Sequence, residues 1–235
     1  MTLLDVSNVN TFYGDSHILF DVSMHVNEHE VVALLGRNGA GKSTLLKTIA
    51  GALQPKSGTI TFNGKEIHNM ATHLIAREGL QLVPEERRII GGITVHENLE
   101  LAAMTATNPM SFERIYATFP RLDERRTNKG RELSGGEQQM IAIARAMIRD
   151  ARLILLDEPF EGLAPIIVRD LIGVCRQLAE EGRTVIVVEQ NVNAVLSMAS
   201  RAYMLNTGHV VFNGTSDELK SRPDILNRYM GTAAA

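Results

Sequence analysis

The sequence contains a single cysteine, Cys175, so no disulfide can form within the chain. A lone thiol in a helix-like segment suits a reducing compartment, and we expect it to be a buried core residue rather than a reactive group. The longest apolar runs, such as 31–35, fall far short of the roughly 18 residues that a membrane-spanning helix needs, and no signal-peptide pattern opens the chain. If the protein works at a membrane, we expect another polypeptide to span it.

An excess of basic residues is also missing, because the net charge is -3 and the isoelectric point is about 6.2. The surface as a whole therefore has no positive field that would attract nucleic acid or an anionic membrane. No solenoid-type repeat or low-complexity tract is found, and we expect the C-terminal stretch 231–235 to be a frayed end. With 235 residues, 44% of them hydrophobic, the chain can form one large domain or two coupled subdomains.

The character of the sequence changes twice along the chain. The first sixty-five residues contain short β-type runs broken by Gly, Asp and Asn, namely LLDVSNV, HILFDVSMHV, EVVALLG and GTITFNG. From about Glu86 to Arg152 the pattern is helical, with 3.6-residue periodicity in HENLELAAM and GEQQMIAIARAMI. After that, strands and helices alternate.

This alternating part predicts a parallel β-α-β crossover. LILLD (153–157) reads as a buried strand, Pro165 opens a helix that ends before Gly182, and TVIVV is the next strand. The apolar positions of that helix are Ile167, Leu171, Val174 and Leu178. Ligands of open α/β sheets bind at the carboxyl ends of the strands, and the polar residues at these two ends are Asp157, Glu158, Glu189 and Gln190.

GRNGAGKST (36–44) follows the strand EVVALL and precedes the helical LLKTIAG, which is the context that a phosphate-binding P-loop requires. Its glycines allow backbone N–H groups to surround an anion, and the helix that begins near Lys42 adds its positive N-terminal end. Lys42 would place its charge on the terminal phosphates, and the Ser43 hydroxyl would bind Mg²⁺. The plainer alternative is a Gly-rich strand-to-helix turn without a ligand.

With a P-loop upstream, the neighbouring carboxylates Asp157 and Glu158 are candidates for a role in nucleotide hydrolysis. Asp157 ends a buried strand, where its carboxylate can hold Mg²⁺ or a water bound to it. Glu158 follows directly and is placed to orient and polarise an attacking water. The alternative is that DEP merely terminates the strand.

LSGGEQQ (133–139) fits a helix capping box, because Ser134 and Glu137 are three residues apart ahead of an apolar-periodic helix. By itself this means a well-capped helix. Two glycines in its first turn leave backbone N–H groups uncovered, so the segment is a second potential phosphate site, far in sequence from the first.

In the order GRNGAGKST, LSGGEQQ, LILLDEP, these motifs resemble the ATP-binding cassette family over essentially the whole chain. The resemblance implies an α/β P-loop NTPase with a RecA-like core, an N-terminal antiparallel β subdomain and an inserted helical subdomain. It implies a single ATPase domain over 1–235, with the nucleotide-binding core in 1–85 and 153–235 and the helical subdomain with the signature motif in 86–152.

The resemblance also implies how ATP and Mg²⁺ are held. In that family two ATPase modules pair head to tail, so that the P-loop of one and the LSGGE helix of the other enclose one ATP. Catalysis would fall to Glu158 and Gln190, and Mg²⁺ would be bound by Ser43, Glu85 and Asp157. The expected ATP-binding residues are Tyr13, which matches the aromatic that stacks on adenine, and Gly36, Arg37, Asn38, Gly39, Ala40, Gly41, Lys42, Ser43, Thr44, Ser134, Gly135, Gly136 and Glu137. A lone Tyr outside this context is more often simple packing.

Two positions depart from the usual cassette pattern. Glu85 stands where Gln is usual, and Gln190 stands where a switch His is usual. An amide donates a hydrogen bond to a phosphate oxygen but cannot take a proton, so we hypothesise that Gln190 senses the γ-phosphate and that Glu158 is the only base of the pair. The Glu85 carboxylate would repel the γ-phosphate by a few kcal/mol at an effective dielectric of about 20, and the adjacent Arg87 and Arg88 are available to offset it. The alternative is that the charged run EERR is simply a solvated loop.

These departures, with FEGLAP after the catalytic pair, resemble ATPase subunits of the branched-chain and hydrophobic amino-acid uptake group, whose usual patterns are VPEGRR, DEPSLGLAP and VEQN. The chain keeps VEQN, has PEERR for PEGRR, and has Phe160 and Glu161 where Ser and Leu are common. Relatives of this group also serve importers of amides, urea and other small polar solutes.

The resemblance implies an ATP-hydrolysing subunit of a multi-subunit importer, peripheral to the cytoplasmic face of the cell membrane. Its partners would be a second ATPase, identical or paralogous, the transmembrane permease subunits that contact the loop 85–95, and indirectly an external solute-binding protein, with no nucleic acid. The alternatives are cassette ATPases of DNA repair, translation or scaffold assembly. The first two usually carry a long coiled-coil insertion or a second cassette, and this chain has neither.

Overall fold

The computed structural model describes residues 1–231, so the expected frayed end lies outside it except for Gly231. The strands are β1 Thr2–Tyr13, β2 Ser16–Asn27, β3 Val31–Leu35, β4 Ser57–Phe62, β5 Lys65–Glu66, β6 Leu80–Val83, β7 Leu153–Asp157, β8 Thr184–Glu189, β9 Arg201–Asn206 and β10 His209–Thr215. The helices are α1 Lys42–Ile49, α2 Thr72–Arg77, α3 Val95–Ala103, α4 Phe112–Thr118, α5 Pro120–Glu124, α6 Gly135–Ile148, α7 Pro165–Glu180, α8 Val192–Leu196, α9 Ser216–Lys220 and α10 Pro223–Met230, with a 3₁₀ turn at Gly130–Glu132.

The strands form two sheets. The first is antiparallel, with the order β2-β1-β4-β5, and contains the long N-terminal hairpin. The second has the order β10-β9-β3-β8-β7-β6, in which β9, β3, β8, β7 and β6 are parallel and β10 closes one edge as an antiparallel strand. The predicted β7-α7-β8 crossover is confirmed, because β7 and β8 are adjacent and parallel.

Both faces of the larger sheet are covered, which explains why its strands read as continuous apolar runs. Along β7, Ile154 and Leu156 belong to one hydrophobic cluster, whereas Leu153 and Leu155 belong to the other. The first cluster includes α6 and α7, and the second includes α1 and the antiparallel sheet. The sheet is therefore the middle layer of the fold.

Helix α7 buries the four positions that its periodicity predicts, and Pro165 is its first residue. Cys175 lies on the same helix and is fully buried, as expected, so that burial raises the pKa of its thiol to about 12. None of the helices in residues 1–231 combines the length and the apolar character that crossing a membrane requires.

The helical stretch lies between β6 and β7, where α3 to α6 occupy 95–148. HENLELAAM and GEQQMIAIARAMI fall in α3 and α6, but the start of the stretch was predicted too early. Residues 86–94 form a loop, because Arg87 and Arg88 both have positive φ (59° and 46°), which a helix does not allow. The subdivision at 86 and 152 stays a prediction.

A buried tyrosine connects the two sheets. The Tyr203 side chain on β9 has no exposed surface, and its hydroxyl donates to the His25 carbonyl oxygen of β2 at 2.9 Å. The Tyr203 hydroxyl oxygen in turn accepts the His25 N–H at 3.0 Å. Burial raises the pKa of the Tyr203 phenol, so it stays a neutral donor.

We expect Tyr203→Phe to lower the free energy of unfolding by about 1–3 kcal/mol, because two partly buried backbone groups of His25 lose their partner. Urea unfolding followed by circular dichroism measures this. The control is Tyr229→Phe, since the half-buried Tyr229 hydroxyl makes no hydrogen bond within residues 1–231, and its effect should stay within about 0.5 kcal/mol. Equal effects of the two variants would contradict the prediction.

Candidate functional site

The loop between β3 and α1 has the geometry of a phosphate cradle. Gly41 immediately precedes α1 with φ +104°, and a Cβ at this position would lie 2.9 Å from Leu19 Cδ2. A residue with a side chain would be strained there and would collide with the core, so the sequence needs glycine. Helix α1 begins at Lys42 as predicted, and its first N–H groups have no side-chain cap.

Lys42 is only 4% exposed and is held by three oxygens. Its ammonium donates to the carbonyl oxygens of Gly36 at 2.9 Å and Arg37 at 3.2 Å, and it lies 3.2 Å from Glu158 Oε1. The loop backbone and the candidate base therefore position the charge of the P-loop lysine.

Ser43 and Asp157 form the second contact between the loop and β7. The Ser43 hydroxyl donates to Asp157 Oδ1 at 2.9 Å. Burial raises the pKa of Asp157, while the Ser43 hydrogen bond opposes that shift. One hydroxyl and one carboxylate side by side suit Mg²⁺, which proteins usually bind through one or two carboxylates, with water and phosphate oxygens among its other ligands. In residues 1–231 no three His, Cys, Asp or Glu side chains form a metal site by themselves.

Glu158 lies between the P-loop and β8. Its Oε2 accepts a hydrogen bond from Gln190 Nε2 at 2.9 Å, and its other oxygen pairs with Lys42. The backbone of Glu158 has φ +47°, a left-handed conformation that a non-glycine residue adopts at some cost. Gln190 thus reaches the candidate base directly, a contact that the sequence did not predict.

Glu161 lies beside Glu158, so two carboxyl groups face one cavity. The pKa of Glu161 is raised, first because side-chain hydrogen bonding with Glu158 favours its protonated form and then because of the Glu158 charge. Two adjacent carboxylates resist simultaneous ionisation. The exchange of the group's usual Leu for Glu161 therefore changes the electrostatics of the site.

Glu189, at the end of β8, does not line the cleft that contains the P-loop and instead binds backbone N–H groups. It is 4% exposed and accepts the N–H of Phe160 at 2.8 Å and of Gln190 at 3.2 Å. Burial raises its pKa, although these hydrogen bonds oppose the shift. Glu189 thus holds together the loops that follow β7 and β8.

An open cleft of about 530 Å³ brings most of these groups together. Its lining consists of Tyr13, Ile18, Asn38, Gly39, Gly41, Lys42, Ser43, Thr44, Glu85, Glu158 and Glu161. Gly36 and Arg37 do not line the cleft, but their carbonyl oxygens accept the Lys42 ammonium. The Ala40 N–H donates to the Arg37 carbonyl oxygen at 3.1 Å within the same loop. Tyr13 is 45% exposed at the end of β1. Ile18 was not predicted, since nothing in the sequence marks the β-bulge on which it lies.

Glu85 reaches this cleft, and in residues 1–231 it forms no ion pair with Arg87 or Arg88. The guanidinium of Arg87 donates to Gln139 Oε1 of α6 at 3.3 Å. That of Arg88 lies 3.7 Å from the carboxylate of Glu86.

The signature segment forms the predicted capping box at the start of α6. Glu137 N–H donates to Ser134 Oγ at 3.3 Å, and Ser134 N–H donates to Glu137 Oε2 at 2.8 Å. Gly135 and Gly136 occupy the first turn. The cleft that contains the P-loop takes no lining residue from α6 in the described part of the chain, so the two candidate phosphate sites of one chain are separate.

Comparison with known proteins agrees with this geometry. The "ABC transporter" family profile matches residues 19–161. The high-affinity branched-chain amino acid transport ATP-binding protein BraG of Pseudomonas aeruginosa is 41% identical over 97% of this chain and its own full length. The lipopolysaccharide export system ATP-binding protein LptB of Escherichia coli K12 is 33% identical over 98% of both chains. A dimeric structure of the ATP-binding cassette MJ0796, bound to ADP and Pi in a post-hydrolysis state, superposes with a TM-score of 0.81 at 26% identity, covering 91% of this chain and 99% of that one.

We expect Glu189→Gln to flatten the pH dependence of stability. A carboxyl whose pKa is raised by folding stabilises the protein fully below its unfolded pKa of about 4.3 and loses this contribution as the pH rises through the folded value. The neutral amide removes this term, so the free energy of unfolding should fall less steeply above that pH.

Urea unfolding between pH 4 and pH 7 checks this expectation. The exposed Glu113→Gln serves as the control and should follow the wild-type slope. Identical slopes for Glu189→Gln and wild type would show that Glu189 ionises as it does in the unfolded chain.

Proposed function

The chain belongs to the ABC transporter family, and on that premise we propose that it is the ATP-hydrolysing subunit of an importer for branched-chain or other hydrophobic amino acids or related small polar solutes. That it is an ABC transporter ATPase follows from the family match and the full-length similarity to BraG. The importer assignment is supported by the higher identity to BraG than to LptB, whose name describes export of lipopolysaccharide. The VEQN and GLAP segments agree with this choice.

The observation that carries the catalytic proposal is the convergence of Lys42, the Ser43 and Asp157 pair, and Glu158 on one cleft. We propose that Lys42 and the N–H groups of the P-loop bind the phosphates of ATP, with Tyr13 stacking on the base. Ser43, Asp157 and Glu85 would hold Mg²⁺. When bound, this ion neutralises charge on the phosphate oxygens.

Glu158 would act as the general base that orients the attacking water, because it is the carboxylate nearest to Lys42 in the cleft. Gln190 would hold that carboxylate through its amide and report the γ-phosphate without accepting a proton. Ser134, Gly135 and Gly136 would contact the ATP that is bound to a second ATPase, since they lie apart from their own P-loop cleft. The dimeric MJ0796 structure supports such a pairing.

A second, larger cleft of about 810 Å³ between α2, β6, α3 and α6 is our candidate for the permease contact. It includes Arg87 and Arg88 from the loop 85–95 that the family resemblance assigns to this role. Its charged lining residues in the described chain are all basic, namely Lys47, Arg87, Arg88, Arg145 and Arg149. With the permease bound there, the ATPase would lie on the cytoplasmic face of the membrane.

We expect Glu158→Gln to reduce ATP hydrolysis by about 10²-fold or more, because a well-placed general base contributes about 10²–10⁴. ATP binding should be retained, because the amide is isosteric and leaves the P-loop intact. Steady-state phosphate release and equilibrium binding of ATP measure the two effects. Normal hydrolysis by Glu158→Gln would rule out this base.

The importer proposal predicts that membrane subunits copurify with the tagged chain and that Arg149→Glu weakens this association. Reversing a charge in an all-basic cleft penalises an acidic docking segment. Arg228→Glu, an equal charge change on exposed α10, is the control and should leave the association intact. Copurification of ribosomes or DNA would instead favour a cassette ATPase outside transport.

Uptake by the reconstituted complex then identifies the solute. Amino-acid uptake that requires an intact Glu158 supports the cargo class. If the same complex exports a lipid-linked substrate instead, the importer proposal is wrong.

A further inference from the structure

A bulge in the N-terminal hairpin shapes the edge of the nucleotide cleft. Across β1 and β2, Thr11 pairs with Leu19 and Phe12 pairs with His17, so Ile18 is an extra residue with no partner on β1. Such a bulge re-aims the neighbouring side chains. Ile18 therefore faces the cleft that Tyr13 also lines.

The same bulge places His17 inside a stack of rings. Phe12 and His17 stack with their centroids 4.0 Å apart and their planes within 10°, and His17 lies 3.8 Å from Phe20. The stack continues to His209 on β10, 4.8 Å from Phe20. The Lys56 ammonium lies 4.7 Å from the Phe12 ring.

A hydrogen bond fixes the orientation of the His17 ring within this stack. Its Nε2 lies 3.0 Å from Asn10 Oδ1, and this amide oxygen also accepts the Asp21 N–H at 3.2 Å. The Asn10 amide nitrogen donates to Asp21 Oδ1 at 2.8 Å and to Ser57 Oγ at 3.0 Å. Because Asn10 Oδ1 is an acceptor, His17 Nε2 is the donor.

The turn between β9 and β10 connects the stack to the P-loop. Gly208 N–H donates to the Ala40 carbonyl oxygen at 2.9 Å, and the Gly208 carbonyl oxygen accepts the Phe20 N–H at 2.9 Å. A Cβ on Gly208 would collide with the Ile18 carbonyl oxygen, so the backbones meet without a side chain between them. One residue thus links the strand that carries His17 and Phe20 to the loop that holds phosphate.

We propose that His17 is a positioning residue for nucleotide recognition, which rests on the proposed stacking of Tyr13 on the base. Wedged between Phe12 and Phe20, it fixes the end of the hairpin at a set distance from the P-loop. Tyr13 directly follows Phe12, so the stack holds the Tyr13 backbone at the edge of the cleft before a nucleotide arrives. Ordering this edge in advance removes an entropic cost that binding would otherwise carry.

The test separates base recognition from phosphate recognition. The probes are ATP and inorganic tripolyphosphate, both with Mg²⁺, and each competes against a fluorescent ADP analogue. Base stacking on an aromatic side chain contributes substantially to the free energy of binding, so we expect Tyr13→Ala to weaken ATP binding about tenfold. His17 acts only through the position of Tyr13, so we expect His17→Ala to weaken ATP binding about threefold. Tripolyphosphate has no base, and its affinity should change less than about twofold in both variants because the P-loop contacts are retained.

His17→Phe keeps a flat ring in the stack and should restore most of the ATP affinity. His73→Ala, on exposed α2, is the matched control and should bind both probes as wild type does. Thermal unfolding of each variant shows whether the fold is retained.

The outcomes distinguish two failures. If Tyr13→Ala leaves ATP binding unchanged, the proposed role of Tyr13 is wrong, and the positioning role of His17 is then wrong as well. If Tyr13→Ala weakens ATP selectively but His17→Ala does not, only the positioning role of His17 is wrong. Equal losses of ATP and tripolyphosphate in His17→Ala would mean a general structural effect and would also overturn the inference.

Discussion

Three neighbouring parallel strands, β3, β8 and β7, end at the same edge of the central sheet, and this register fixes the site. Leu35 at the end of β3 lies opposite Glu189 of β8, and Asp157 at the end of β7 lies opposite Val188. Neighbouring strands are about 4.8 Å apart, so the P-loop, the Asp157 and Glu158 pair, and Gln190 emerge within about 10 Å of one another. Burial on both faces keeps the strands from sliding, because a shift by one residue would exchange the two hydrophobic clusters.

The charge balance of the cleft follows from this convergence. Lys42 is the one cationic side chain that lines it in the described residues, whereas Glu85, Glu158 and Glu161 are all acidic. A site of this composition repels a polyphosphate unless backbone N–H groups and a divalent cation compensate. The P-loop supplies the first, and the Ser43 and Asp157 pair is arranged for the second. The Lys42–Glu158 ion pair is nearly buried, so neither charge can lose its partner without cost.

Much of this arrangement could be predicted from the sequence. Glycines before a helix, an apolar strand that ends in a carboxylate, and a serine three residues before a glutamate each specify a local geometry, and the P-loop, β7 and the α6 cap are found as predicted. Contacts between distant segments could not be predicted. The Gln190–Glu158 hydrogen bond and the Ile18 bulge depend on how strands pair. The orientation of Arg87 depends on a positive φ that its residue type does not announce.

The buried thiol on α7 has a practical consequence. Since thiolate is the reactive form, a group with a pKa of about 12 and no exposure is inert towards maleimides and iodoacetamides at neutral pH. A cysteine introduced on the surface would therefore be modified alone, without first deleting the natural one. Spin labels or fluorophores attached to such introduced cysteines could then report the distance between two paired ATPase subunits.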